Sequence, residues 1–150
     1  MFEIRSDFMR FQRIARFVVL SFSLNLVWEM SQSFLYAPHF SGSLEFIRIH
    51  VVAASVDVAF LSFIVWIGCA VSGMRLGNGL IRMAATALVG FTVAVVIERV
   101  ALAAGMWSYG IYMPLLPFFG VGLAPILQMT VIPAILSRVW FGVERDSASV

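Results

Sequence analysis

The stretch FIRIHVVAASVDVAFLSFIVWIGCAV, Phe46 to Val71, decides the fold class. It contains no proline, exceeds the roughly 20 apolar residues that one bilayer crossing requires, and carries a single acid, Asp57. Its apolar residues run continuously and do not alternate, which argues for a membrane helix and against a barrel strand. Three more such runs flank it. A first helix is predicted over about 17–36 and ends at Pro38 and the HFSGS that follows from His39. The quoted run gives a second helix over 46–71, closed by Ser72-Gly73, and a third is predicted over 81–103, closed by Gly105. A fourth is predicted over 116–141, kinked by Pro125 and Pro133. The expected architecture is an all-α bundle of four transmembrane helices, one domain over 1–150, with no linker or low-complexity stretch.

Composition points the same way. Of 150 residues, 61% are hydrophobic and 12% charged, and the mean hydropathy is +0.98. A soluble domain is nearer half apolar and a quarter charged, so the bilayer must take up the excess apolar surface. All ten basic residues are arginine. Arg5, Arg10, Arg13 and Arg16 precede the first helix, Arg75 and Arg82 lie between the second and third, and Arg138 and Arg145 end the chain. Only Arg48 and Arg99 fall on the opposite side, so the positive-inside rule places both termini in the cytoplasm, with a bacterial inner membrane as the expected location. The arginines thus report topology, not nucleic-acid binding. The arginine-rich start has the outline of a secretory leader. However, the run behind it holds Asn25, Trp28 and Glu29 with no small-x-small cleavage site, and reads as a retained helix. Cys69, the single cysteine, excludes an internal disulfide and a thiolate metal cluster and reads as helix filler.

Ionisable groups inside a span are expensive, so each needs a reason. Glu29 lies thirteen residues beyond Arg16, roughly 20 Å along the helix from the cytoplasmic edge. Asn25 and Gln32 stand four residues before it and three after, on one face. His50 and Asp57, two turns apart, share a face of the second helix with Ala53 and Ala54 between them. The third helix brings Glu98 to its outer end, and the fourth brings Gln128 down from a loop holding Trp107, Tyr109 and Tyr112. All these polar residues are expected in the outer half of the membrane, as a pocket. For Glu29 and Asp57 the alternative is hydrogen-bond glue between helices. For Glu98 it is a solvated helix end, and for His50 an interfacial position. For the loop aromatics it is an interface belt.

The chain has no Gly-rich phosphate loop, no G-x-S-x-G elbow and no cluster of aspartates for magnesium on a diphosphate. His39 sits in a loop, and no His-x-x-His or Glu-x-x-His pair exists, so neither metal nor cofactor is expected. What remains is proton chemistry on a lipid-soluble small molecule. A carboxyl group in a low-dielectric site keeps its proton near neutrality and serves as a general acid, and aromatic faces stabilise a developing cation.

NLVWEMSQSFLY, Asn25 to Tyr36, resembles the Asn-x-x-Trp-Glu stretch of small integral-membrane terpene cyclases that make meroterpenoids. ERVALAAGMWSYGIYMPLLP, Glu98 to Pro117, is similar to the acid, Gly-x-Trp-x-Tyr/Phe, proline pattern of membrane lycopene cyclase domains. The resemblance covers about a fifth of the chain. It implies an isoprenoid- or carotenoid-modifying cyclase or isomerase with Glu29 as acid and Asp57 or Glu98 as partner or terminal base. Asn25, Trp28, Gln32, His50, Trp107, Tyr109 and Gln128 would line the substrate site. Lycopene cyclase domains carry Pro-x-Glu-Glu where this chain reads APILQ, which puts Gln128 at an acid position. The meroterpenoid enzymes have more than four helices, so a chain of this size implies a homo-oligomer. Two other functions fit the same residues: an accessory subunit of a larger membrane complex that binds lipid, quinone or pigment, and an oligomeric transporter.

Overall fold

The computed structural model describes the backbone of residues 2–38, 40–72 and 79–146, and the side chains of 9–38, 40–72 and 79–138. His39, Gly73 and Arg75 lie outside these residues. Helix α1 runs Phe2–Gln32 and continues into a 3-10 turn, Ser33–Leu35. Helix α2 is Ser43–Val71, α3 is Gly79–Ala103, and α4 is Leu123–Asp146. Before α4 stands a short antiparallel hairpin, β1 (Leu115–Leu116) and β2 (Val121–Gly122). The chain is therefore mostly helical. Among the residues whose side chains are described, three segments are long and apolar enough to cross a membrane, Met9–Leu35, Ser43–Val71 and Gly79–Ala103, and the part of α4 that falls within them, Leu123–Arg138, is a shorter apolar stretch.

Two helix starts differ most from the sequence expectation, and α4 also runs on to Asp146, past the expected 141. Helix α1 begins at Phe2, not near Phe17, because nothing from Phe2 to Gln32 breaks a helix. Hydropathy marks where the apolar slab begins, which is not where the backbone hydrogen bonds begin. Helix α4 starts at Leu123, not near Leu116, because Pro114 and Pro117 cannot continue a hydrogen-bonded helix and Phe118 and Gly120 turn the chain with positive φ of 68° and 63°. Pro125 consequently falls in the first turn of α4, where its missing N–H has no partner to lose.

The helices form a closed ring in which α1 packs on α2, α2 on α3, α3 on α4 and α4 back on α1, with a diagonal contact between α2 and α4. The most extensive packing is between α3 and α4. Pro133, lacking an N–H, frees the Met129 carbonyl one turn back in α4. That oxygen lies against Gly90, where an added Cβ would come within 2.0 Å of it. Gly90 and Ala94, four residues apart, thus give α3 the small-residue face that such contact requires. Helix α2 buries His50, Ala54, Leu61, Ile64 and Gly68, a four-three spacing that winds as a seam along the bundle. The apolar core gathers Leu61, Ile64, Ala94, Val121, Ile126, Met129, Ile132 and Leu136.

Candidate functional site

Helix α1 is amphipathic in the reverse sense to a soluble helix. Ser21, Asn25 and Gln32 are buried, with Trp28 and Glu29 half-buried on the same stripe, while Val19, Leu20, Val27 and Phe34 stay exposed. The i, i+4, i+7 spacing aims the polar stripe into the bundle, where a polar group can find partners that lipid cannot offer.

The partners come from α2 and α4. Gln128, 2% exposed, is the hub. Its side-chain N–H groups donate to Asn25 Oδ1 at 2.9 Å and to Asp57 Oδ2 at 2.8 Å. Its oxygen accepts from Gln32 Nε2 at 3.1 Å, and the same nitrogen also donates to Glu29 Oε1 at 3.1 Å. The Trp28 indole N–H closes the chain on Gln32 Oε1 at 3.1 Å, and Asn25 Nδ2 donates to the Ser21 carbonyl at 2.8 Å. Both hydrogens of each glutamine amide are thereby used.

Between these amides the carboxyl groups of Glu29 and Asp57 are neighbours, Glu29 held by Gln32 and Asp57 by Gln128, with the two amides bonded to each other. His50, 3% exposed, interacts electrostatically with Glu29. Its Nδ1 lies 2.7 Å from the Phe46 carbonyl, an acceptor only, so Nδ1 carries the hydrogen. Asp57 stands at the midpoint of α2, fourteen residues from either end.

Glu98 belongs to a second cluster. It is 4% exposed and lies five residues before the end of α3. Tyr109 donates its hydroxyl to Glu98 Oε2 and accepts from the Gly122 N–H at 2.7 Å. A Cβ at Gly122 would stand 3.1 Å from the Tyr109 ring and 2.9 Å from Met113 Sδ, so glycine is what lets the backbone reach the phenol. Burial, and after it the hydrogen bond to Glu98, push the Tyr109 phenol well above its ordinary range, so it stays a neutral donor. The indole N–H of Trp107 is buried beside Glu98 without completing a hydrogen bond.

The three acids therefore divide into a pair and a single: Glu29 meets Asp57, and Glu98 meets Tyr109. Tyr36, which the sequence reading left out of the site, stands between them. Its ring packs against Tyr109 at 5.9 Å between centroids, and its backbone bridges to Tyr109. Burial pushes the Tyr36 phenol up, and the carboxyls of Glu98 and Glu29 push in the same direction. Tyr36 follows Glu29 by seven residues, a spacing that would have placed it on the polar stripe. Ser21 was also missed. It precedes Asn25 by four, and its hydroxyl is fully buried without a hydrogen-bond partner. Among the described residues, no three His, Cys, Asp or Glu side chains are grouped to hold a metal ion.

No family model, curated protein or solved structure matches this chain.

Proposed function

We propose that the chain crosses a bacterial inner membrane four times with both termini in the cytoplasm, and that it uses the Glu29–Asp57 pair to protonate an isoprenoid lipid, driving cyclisation or isomerisation. The observation that carries this reading is the placing of two carboxyls side by side, each braced by an amide, Glu29 by Gln32 and Asp57 by Gln128. Structural glue needs one carboxyl and one amide. A matched pair, half-buried and held from both sides, is the arrangement of a general acid with its conjugate partner.

In the proposed reaction the pair gives its proton to one carbon of a substrate double bond. The π electrons form the new C–H bond and leave a tertiary cation on the other carbon. An intramolecular alkene closes a ring on that cation, or a neighbouring C–H bond breaks directly. The proton released at the end goes to Glu98 or to water, so atoms and charge balance and the product is an isomer of the substrate. The Trp28 ring stands beside the acid as a face for positive charge. The short likenesses at Asn25–Tyr36 and Glu98–Pro117 support the same chemistry.

Membranes containing the wild-type protein, incubated with a polyprenyl lipid mixture, should yield a new species of unchanged mass. Glu29→Gln and Asp57→Asn should each lower its rate by about 10²–10⁴, the usual contribution of a positioned acid, while the protein still inserts. Equal product from Glu29→Gln removes the assignment.

A second reading is favoured by α1, whose spanning segment is only 11% buried in the bundle. Its outward stripe of Val19, Leu20, Val27 and Phe34 suits a second copy or a larger complex. Under this reading the protein would leave detergent extracts in a stoichiometric assembly, and its deletion would leave the isoprenoid extract unchanged.

A further inference from the structure

The hairpin that opens α4 is fully exposed and apolar at its tip. Phe118 is 105% exposed and holds a φ of 68°, a conformation that a bulky residue rarely adopts. Phe119 is also exposed, yet its ring meets Phe91 edge-on at 5.7 Å. Phe91 is the midpoint of α3, twelve residues from either end. The Phe119 carbonyl accepts from Arg99 Nη1 at 3.2 Å. Anchored to Phe91 below and Arg99 above, the tip has turned back along α3 toward the middle of the bundle.

The hydrocarbon core of a bilayer is ~30 Å thick. Centred on Phe91, a core of that thickness covers about ten residues of α3 on each side, so Phe118 and Phe119 fall within it. Non-helical backbone survives at such depth only if its polar groups are satisfied. Here Pro114 and Pro117 bring no N–H. Leu115 pairs with Gly122 and Leu116 with Val121. Gly120 N–H reaches the Leu116 carbonyl at 3.1 Å and Leu123 N–H the Pro114 carbonyl at 2.7 Å, while Arg99 takes the carbonyl of Phe119.

We infer that Pro114–Gly122 is a re-entrant hairpin that inserts Phe118 and Phe119 among the lipid acyl chains of the leaflet at the Ala103 end of α3. This rests on the membrane reading of the helices and not on the proposed chemistry.

Nitroxide labels on single-cysteine variants in a Cys69→Ala background test it. The labels replace Phe118, Val96 on the lipid-facing side of α3, and Ser108 in the exposed loop, each in the full-length protein reconstituted in phosphatidylcholine vesicles. Power saturation with oxygen and with a water-soluble nickel chelate reads the depth of each. The oxygen-to-nickel accessibility ratio at 118 should approach that at 96 and exceed that at 108 several-fold. A ratio at 118 equal to that at 108 places the tip in water and overturns the inference, leaving the tip to a water-soluble partner. A ratio at 96 no higher than at 108 overturns the membrane reading itself, which separates the two failures.

Discussion

The two acid clusters are built by different means. The Glu29–Asp57 pair is assembled wholly from helical side chains, with amides from α1 and α4 fixing each carboxyl. The Glu98 cluster is assembled from one helical side chain and a loop, and depends on the Gly122 backbone N–H and on the missing side chain at Gly122. Helices deliver polar groups by period alone, whereas the loop delivers Tyr109 only after a hairpin and two positive-φ turns at Gly105 and Gly120 have been set. The first cluster should therefore be lost through a polar deletion and the second through a steric addition.

The largest stability effect is expected at Gln128. Gln128→Leu removes the hub of three hydrogen bonds and leaves the Asn25 oxygen and one Asp57 oxygen without their donor. Each buried group left unpaired costs about 1–3 kcal/mol, although hydrogen bonds between membrane helices often measure less. A loss of roughly 3 kcal/mol in a reversible detergent-unfolding titration is expected, while the near-ultraviolet signal of the Tyr109 loop persists. A change below about 0.5 kcal/mol would mean that the amide network forms as readily in the unfolded, membrane-bound state and contributes nothing to assembling the pair.

Gly122→Val should give the complementary result. The new side chain displaces the Tyr109 ring and Met113, at the about 1–3 kcal/mol typical of overpacking. Tyr109 should lose its contact with Glu98, visible as a phenol that titrates closer to the ordinary range, since its main perturbing contacts are burial and that hydrogen bond. The network around Gln128 should be untouched. If Gly122→Val leaves the phenol unmoved, the loop is softer than its close contacts imply.

The same difference explains what could be read in the sequence. Asn25, Glu29, Gln32, Asp57 and Gln128 were legible as candidates because polar residues in apolar helices have few places to go, and spacing fixes which of them share a face. Their joining into one network was not legible, since helix rotation and pairing order decide it. Glu98, Trp107 and Tyr109 were visible as residue types, but their separation from Glu29 and Asp57 follows from Glu98 lying five residues before the end of α3, while Asp57 lies at the centre of α2. The start of α4 was misjudged because LLPFFG continues the apolar run, and hydropathy cannot tell a hairpin from a helix. The prolines at 114 and 117 were the local signal for the break.

The smallest effect sharpens the account of the pair itself. Gln32 gives both amide hydrogens away, one to Glu29 and one to Gln128. Its oxygen is held by the Trp28 indole N–H alone among the bonds of the network. That single bond fixes the direction of the amide, because a half-turn would set the Gln32 oxygen against the oxygens of Glu29 and Gln128. Trp28→Phe keeps an aromatic ring and removes the donor. It should cost only about 0.5–1 kcal/mol, the net worth of one such bond. Under the proposed chemistry it should also lower the proton-transfer rate a few-fold by letting the amide turn, whereas Trp28→Leu should lower it further by taking away the ring proposed to face the developing cation. Equal rates in the two variants would assign Trp28 to orienting Gln32 and leave the cation to other aromatic faces.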